Sequence, residues 1–291
     1  MDLSDYNFAG IIPGPKETEE EFNIRALYCL NLKKQIPEML EQDIPFSSGE
    51  IDLTDEILKA GYENARQLYD IFPTWVPVFF SNYKLSFWQG GCAWIFQQKE
   101  NSPTAAFFQL RQNFRHSKKY LGLYERNELI SHELSHVGRM MYEEPKFEEI
   151  LAYRSSPSKL RSFLGPIVQS SYESTIFVLF LFCVIMLDVF TIAGGISYLS
   201  LTGRLIILGM IVYSLLRLAW RHKQFETCFE HLKSTFSNSQ QANAVIYRLT
   251  DKEIISFGHF TSAQIHSYAE KQKDQSYRWK VLYEAYFKKL S

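Results

Sequence analysis

Two long apolar segments constrain the fold of this chain more than any other feature. Thr175–Ala193 carries one charged residue, Asp188, and Leu205–Trp220 follows after a short link that begins with Gly194 and Gly195. About 20 apolar residues are needed to span a hydrocarbon core of about 30 Å. A buried helical hairpin of a soluble protein is the alternative, but apolar residues surround every side of both segments. We therefore predict a two-helix transmembrane hairpin at residues 173–220, with Asp188 near an interface.

The basic residues next to the hairpin predict its orientation. Lys159 and Arg161 precede the first apolar segment, and Arg221 and Lys223 follow the second, whereas the link offers only Arg204. Because basic residues concentrate on the cytoplasmic side of membrane proteins, both large polar regions are expected in the cytoplasm. The predicted location is a bacterial inner membrane or its equivalent, with both termini and the catalytic site on the cytoplasmic side.

Composition argues against a nucleic-acid partner and favours an intracellular, reducing location. The formal net charge of −1, with both signs interspersed, does not indicate a partner among nucleic acids. Residues 1–10 are acidic and lack an apolar core, so no signal peptide is expected. The cysteines are scattered and form no C-x-x-C pair, which favours a reducing compartment. They are Cys29, Cys92, Cys183 and Cys228.

A metal-binding motif lies before the apolar segments. His132, Glu133 and His136 form an H-E-x-x-H pattern within a predicted helix, Arg126–Tyr142. Residues four apart share one helical face, so both imidazoles can reach one zinc ion, with Glu133 as general base beside a water. The apolar stripe of this helix lies roughly opposite the two histidines and consists of Ile130, Leu134, Val137 and Met141. The alternative is a surface helix with two solvated histidines.

The segment that follows resembles the gluzincin metallopeptidases. In that superfamily, H-E-x-x-H is followed by a helix whose glutamate is the third zinc ligand, in several families within E-x-x-A-D. Residues 149–153 read E-I-L-A-Y, so Tyr153 stands where the aspartate would be. The resemblance covers residues 127–156. It implies a zinc peptidase in which Glu149 is the third ligand, with Glu148 as the fallback and Glu226, beyond the hairpin, as a weaker candidate.

Hydrolysis of a peptide bond also requires a donor to the oxyanion that forms in the transition state. Tyr153 is the stabiliser that we name first. Other donors near the motif in the sequence are Arg154, His116 and Tyr142, and the sequence does not choose among these candidates.

The pattern of the remaining segments predicts an α+β fold with a zincin-like catalytic core. Amphipathic helices are expected at Glu17–Leu40 and Leu53–Ile71. Strands are expected at Val76–Phe80, Lys84–Trp88, Cys92–Gln98 and Thr104–Phe114. The last two are alternatives for an edge strand that holds an extended substrate. Further helices are expected at Arg221–Phe236, Asn238–Tyr247, Thr250–Phe257, Thr261–Glu270 and Gln275–Lys289.

These features predict four regions and one main function. The regions are an N-terminal helical region (1–72), a catalytic core (73–160), the hairpin (173–220) and a cytoplasmic helical region (221–291). The predicted function is a membrane-anchored zinc metalloendopeptidase that acts on membrane-proximal or cytoplasmic proteins, with a protein or peptide substrate and the lipid bilayer as partners. The alternatives are an inactive zincin-like scaffold protein and a transporter subunit with a chance motif.

Overall fold

The computed structural model describes residues 3–40, 44–52, 56–98, 102–122, 124–167, 171–192 and 197–288. The fold is α+β, as predicted, and is mostly helical with a small mixed sheet. The α-helices are α1 (Leu3–Phe8), α2 (Glu19–Leu40), α3 (Lys59–Tyr69), α4 (Arg126–Gly138), α5 (Pro145–Tyr153), α6 (Lys159–Leu164), α7 (Ser171–Ile192), α8 (Ser197–Phe236), α9 (Ser239–Tyr247), α10 (Asp251–Phe257), α11 (Ser262–Gln272) and α12 (Tyr277–Leu282). The strands are β1 (Ile51–Asp52), β2 (Val78–Phe80), β3 (Gly91–Phe96), β4 (Ala105–Leu110), β5 (Lys119–Tyr120) and β6 (Tyr124–Glu125).

The main sheet has the strand order β1-β2-β4-β3. Strands β2 and β4 are parallel, whereas β3 is antiparallel to β4, with Ala93 opposite Phe108. Strand β4 therefore lies inside the sheet, and β3 forms its edge next to α4. Of the two predicted substrate-binding strands, only Cys92–Gln98 corresponds to an edge, because Thr104–Phe114 is paired on both sides.

The helix that carries the H-E-x-x-H motif is packed on several sides. Three residues of its predicted apolar stripe, Ile130, Leu134 and Val137, are buried, whereas Met141 lies beyond the helix, which ends at Gly138 and not at the predicted Tyr142. Gly61 of α3 lies so close to Ile130 that an added Cβ would clash with its side chain. On α9, Tyr247 donates a hydrogen bond to the carbonyl of Ser135 at 2.7 Å. Residues before the motif and after the apolar segments thus share one hydrophobic core with α4.

The predicted strand Lys84–Trp88 is wrong, because these residues form turns in the loop between β2 and β3. Their backbone carbonyls are bound by side chains instead of by a neighbouring strand. Arg111 donates to the carbonyls of Leu85, Ser86 and Gln89. This leaves the aromatic rings of Phe87 and Trp88 exposed.

Most predicted helices are present with small shifts in their ends. Helix α3 begins at Lys59, later than the predicted Leu53, and residues 53–55 lie outside the described part of the chain. The capping box of Thr250 and Glu253 begins α10 as predicted. The last predicted helix is divided into α12 and a π-helical turn at Tyr283–Phe287, and its predicted end, Lys289, is outside the described residues.

One helix of the described chain is long and apolar enough to cross a membrane, judged by length and composition. It is the Leu201–Phe236 part of α8, with a mean hydropathy of 1.7 over a window that is 11% buried. The apolar stretch of α7, Thr175–Thr191, is shorter. The predicted second apolar segment and the predicted helix Arg221–Phe236 form the single helix α8. No proline or glycine lies at the junction of the two segments, Trp220–Arg221.

Candidate metal centre

Helices α4 and α5 bring three potential metal ligands together. The Nε2 atoms of His132 and His136 are 3.3 Å apart. A carboxylate oxygen of Glu149 on α5 lies 3.9 Å from Nε2 of His132, and the other oxygen lies 3.8 Å from Nε2 of His136. Among the described residues, His132, His136 and Glu149 form the one group of His, Cys or acidic side chains that lie close enough together to hold a metal ion.

Protein acceptors lie beside both imidazoles. His136 Nδ1 lies 3.1 Å from Glu148 Oε1, and the second oxygen of Glu148 accepts a hydrogen bond of 2.7 Å from Arg139 Nε. Burial lowers the pKa of His132, whereas the backbone carbonyl of Ala152 favours its protonated form and so acts against this effect. A ring nitrogen that donates to an acceptor leaves the opposite nitrogen free to bind a metal, so Nε2 of His136 is oriented as a ligand.

The two histidines differ in their tendency to carry a proton. Burial and the neighbouring His136 lower the pKa of His132 to about 3. Burial also opposes the charged form of His136, but its hydrogen bond to Glu148 and the nearby carboxylates raise its pKa to about 9. Three carboxylates (Glu133, Glu148 and Glu149) thus surround one buried guanidinium and two imidazoles, and this excess of negative charge favours a divalent cation.

Glu133 lies on the sheet side of this cluster. Only 7% of its surface is exposed, and burial is the main cause that raises the pKa of its carboxyl to about 7. It accepts a hydrogen bond from the backbone N–H of Ala93 on β3. In an antiparallel pair alternate residues direct their N–H groups outward, so this bond shows that the outer edge of β3 faces α4. A carboxyl with a pKa near neutrality suits a general base.

The donor set fits zinc. A tetrahedral zinc ion with bonds of about 2.0–2.2 Å holds its ligand atoms about 3.3–3.6 Å apart, close to the observed 3.3–3.9 Å. Two imidazoles and one carboxylate leave a coordination position open for water. Non-haem iron uses the same donor types. The donor types alone therefore do not distinguish zinc from iron.

Tyr153 is the only predicted oxyanion stabiliser of the described residues that touches the cluster. Its ring packs edge-on against His132, with 4.6 Å between the ring centroids. Burial raises the pKa of its hydroxyl to about 12, so the group remains a donor near neutral pH. It lines a cavity of about 320 Å³ beside His132, together with Tyr124, Leu129 and Gly165.

The other candidates are engaged elsewhere. Tyr142 donates to the backbone carbonyl of Arg248 in the core at 2.8 Å. Arg154 pairs with Glu226 at 3.3 Å and stacks on Phe225, so neither Arg154 nor Glu226 belongs to the cluster. His116 is exposed and lines a different cavity.

Sequence reasoning did not find the partners that orient the histidines. Glu148 was expected only as a substitute ligand, but it instead binds Nδ1 of His136, the ring nitrogen that points away from the cluster. Arg139 was not singled out, although its position three residues after His136 places it on the same side of α4. The carbonyl of Ala152 and the N–H of Ala93 are backbone groups, and no side-chain motif reports them.

The geometry of the cluster has to be interpreted from its own residues. Comparison of the chain with protein-family models, with curated proteins and with solved structures finds no match.

Proposed function

We propose that this chain is a membrane-anchored zinc metalloendopeptidase with a zincin-like, gluzincin-type core. The observation that carries the proposal is the joint arrangement of His132, His136 and Glu149 with Glu133 beside the edge strand β3. Zinc, when bound there, supplies a Lewis acid that polarises a water and the carbonyl of the scissile bond. The substrate class, a protein or peptide, follows from the resemblance and from the edge strand.

The residues of the chain divide the remaining tasks. Glu133 accepts the proton of the attacking water and passes it to the leaving amine. The outward backbone groups of β3 hold an extended peptide as an added strand, for which Ala93 N–H must exchange Glu133 for the peptide. Tyr153 donates to the developing oxyanion from the cavity beside His132. Glu148 and Arg139 keep the imidazole of His136 in its ligating orientation.

The membrane part of the proposal comprises both α7 and α8 as a hairpin. Large apolar side chains of both helices are exposed, among them Phe182 on α7 and Leu216 on α8, as expected for a lipid-facing surface. Ion pairs link the two helices at both ends, Glu173 with Arg217 at 2.6 Å and Asp188 with Arg204 at 3.0 Å. The two arginines are about 20 Å apart along α8, and their long side chains extend the apolar span outward.

The same helix supports a site close to the bilayer. On α8, Phe225 lies about 8 Å beyond Trp220, where the apolar segment ends. Phe225 packs against Phe147 of α5, the helix that carries Glu149. With the basic residues at both flanks of the hairpin, this contact favours a cytoplasmic site that cleaves proteins near the membrane surface.

The test uses the purified full-length chain in detergent. We expect about one zinc per chain and cleavage of unfolded protein substrates, with full retention of zinc but loss of about 10³-fold or more of the activity in Glu133→Gln. Glu226→Gln, a matched change outside the cluster, should cleave like the wild type. Wild-type protein without metal would refute the peptidase proposal and favour an inactive scaffold. A Glu133→Gln variant as fast as wild type would also refute the proposal, because Glu133 would then not be the general base.

A further inference from the structure

Apolar side chains are exposed outside the hairpin as well. Phe87 is 69% exposed and Trp88 is 56% exposed, and their rings pack edge-to-face with centroids 4.8 Å apart. Leu121, at the turn between β5 and β6, is 52% exposed. The hydroxyl of Tyr120 donates to the carbonyl of Phe87 at 2.6 Å, which joins the two loops. Large aromatic side chains that stay exposed in this way indicate an interaction surface.

Helix α6 extends this surface. Its Leu160 is 70% exposed and its Phe163 is 41% exposed. Between them, Arg161 lies over the ring of Tyr124 at 5.6 Å and pairs with Glu128 at 2.8 Å, which holds α6 against the β5–β6 turn. We call the exposed apolar set the aromatic rim; it consists of Phe87, Trp88, Leu121, Leu160 and Phe163. The cavity beside His132 opens next to it.

The aromatic rim contacts α8 where the apolar part of that helix ends. Phe163 stacks on His222 of α8 with 4.6 Å between ring centroids. Arg217 of α8 donates to the carbonyl of Ile167, which follows α6, at 3.5 Å. Trp220, which ends the apolar segment of α8, is 60% exposed at the same level of the helix. The rim therefore adjoins the candidate membrane helix through Phe163.

Exposed lysines flank the rim. Lys84 precedes the Phe87–Trp88 loop, Lys118 and Lys119 precede the β5–β6 turn, and Lys159 begins α6. Aromatic residues favour the headgroup level of a bilayer, and lysines are attracted to the negative charge of an anionic leaflet. This combination matches the chemistry of an anionic membrane surface better than that of an apolar protein partner.

We infer that the aromatic rim is a second membrane contact, which rests in the headgroup region of an anionic bilayer beside the hairpin. The inference rests on the membrane anchorage within the proposed function, but not on zinc binding or on hydrolysis. It implies that the cavity beside His132 opens toward the lipid surface. Substrates would then reach the cluster along the membrane plane, as segments that lie at the bilayer surface.

The test places one environment-sensitive fluorophore on the full-length chain in vesicles of phosphatidylglycerol and phosphatidylcholine. Native Cys183, on α7, reports hairpin insertion. Leu121→Cys in a Cys183→Ser background reports the rim, and Ile24→Cys in the same background is the control, since Ile24 is 54% exposed on α2 and lines another cavity. Phe87→Cys serves as a second rim reporter if Leu121→Cys does not fold. Protein that carries Cys183→Ser and no introduced cysteine measures how much label the remaining native cysteines take up.

We expect nitroxide lipids to quench the probes at Cys183 and at the rim about twofold or more beyond the probe at Ile24. The inference would be overturned if lipids quench the probe at Cys183 but quench the rim probe no more than the probe at Ile24. That result would leave the membrane hairpin standing and assign the rim to a protein partner. A Cys183 probe that lipids do not quench would overturn the membrane anchorage and the rim contact together.

Discussion

The substitution Glu148→Gln tests whether a carboxylate behind His136 prepares the metal centre. Glu148 accepts from His136 Nδ1 at 3.1 Å and from Arg139 Nε at 2.7 Å, and the Arg139 side chain has no exposed surface. Glutamine has the same shape but offers one oxygen and one NH2 group. The oxygen must face Arg139, because a buried guanidinium left against a donor would be an unpaired charge. The NH2 group then faces His136.

This arrangement changes the tautomer of His136. With a donor opposite Nδ1, the imidazole carries its proton on Nε2, the atom that faces His132 and Glu149. A protonated Nε2 cannot bind a metal, so binding must break the new hydrogen bond or rotate the ring. Loss of such a second contact typically reduces metal affinity by about 10–100-fold, which corresponds to about 1.4–2.8 kcal/mol.

The assay is competition for zinc between the purified protein and a chelator of known affinity, at constant pH. Glu226→Gln is the matched control, because Glu226 is a helical glutamate that pairs with Arg154 away from the cluster. Glu148→Ala is less informative, since it leaves Arg139 buried without its partner and should destabilise the fold by about 3–5 kcal/mol. Zinc affinity in Glu148→Gln within twofold of wild type would refute the reasoning, provided that wild type binds the metal.

Two further predictions concern buried residues outside the metal cluster. Burial opposes the charge of Glu253, but Arg278 at 2.7 Å and further donors hold the pKa of its carboxyl below the ordinary 4.5. The pair therefore stabilises the fold above about pH 4.5 and loses this contribution as the pH falls through the lowered pKa. Thermal unfolding against pH should show less acid destabilisation in Glu253→Gln than in wild type, and equal slopes would contradict this. Burial raises the pKa of the Cys29 thiol to about 12, so Cys29 should escape alkylation at pH 8 until the protein unfolds, which mass spectrometry of native and denatured samples checks.

The sequence predicted the ligand cluster well because its information is local. Spacing along one helix brings His132 and His136 to one face, and the helix that begins at Pro145 directs Glu149 toward them. The sheet was less predictable. Residues 84–88 have the composition of a strand, but whether they pair depends on Arg111, which binds their carbonyls from a distant part of the chain. Such side-chain to backbone bonds leave no periodic pattern in the sequence.

The predicted boundary between the hairpin and the last helical region, at Trp220–Arg221, lies inside α8. A change from apolar to polar residues at Trp220–Arg221 suggested the end of a membrane segment and the start of a separate helix. The backbone has no reason to stop there, because helix formation continues wherever no residue breaks the hydrogen-bond ladder. The change in composition at Trp220–Arg221 alters the surroundings of α8 but contains no proline or capping residue that would end the helix.

The continuity of α8 matters for the proposed function because it joins the membrane segment and the cluster through one rigid element. Phe225 of α8 contacts Phe147 near the start of α5 and Arg154 just after its end. Two contacts at opposite ends determine both the position and the direction of α5, and hence the direction of Glu149. A flexible linker would leave the height of the third ligand above the bilayer undefined. Under the proposed function, a continuous helix gives that ligand one height, so the distance between the membrane and the bond to be cleaved would be a property of the fold.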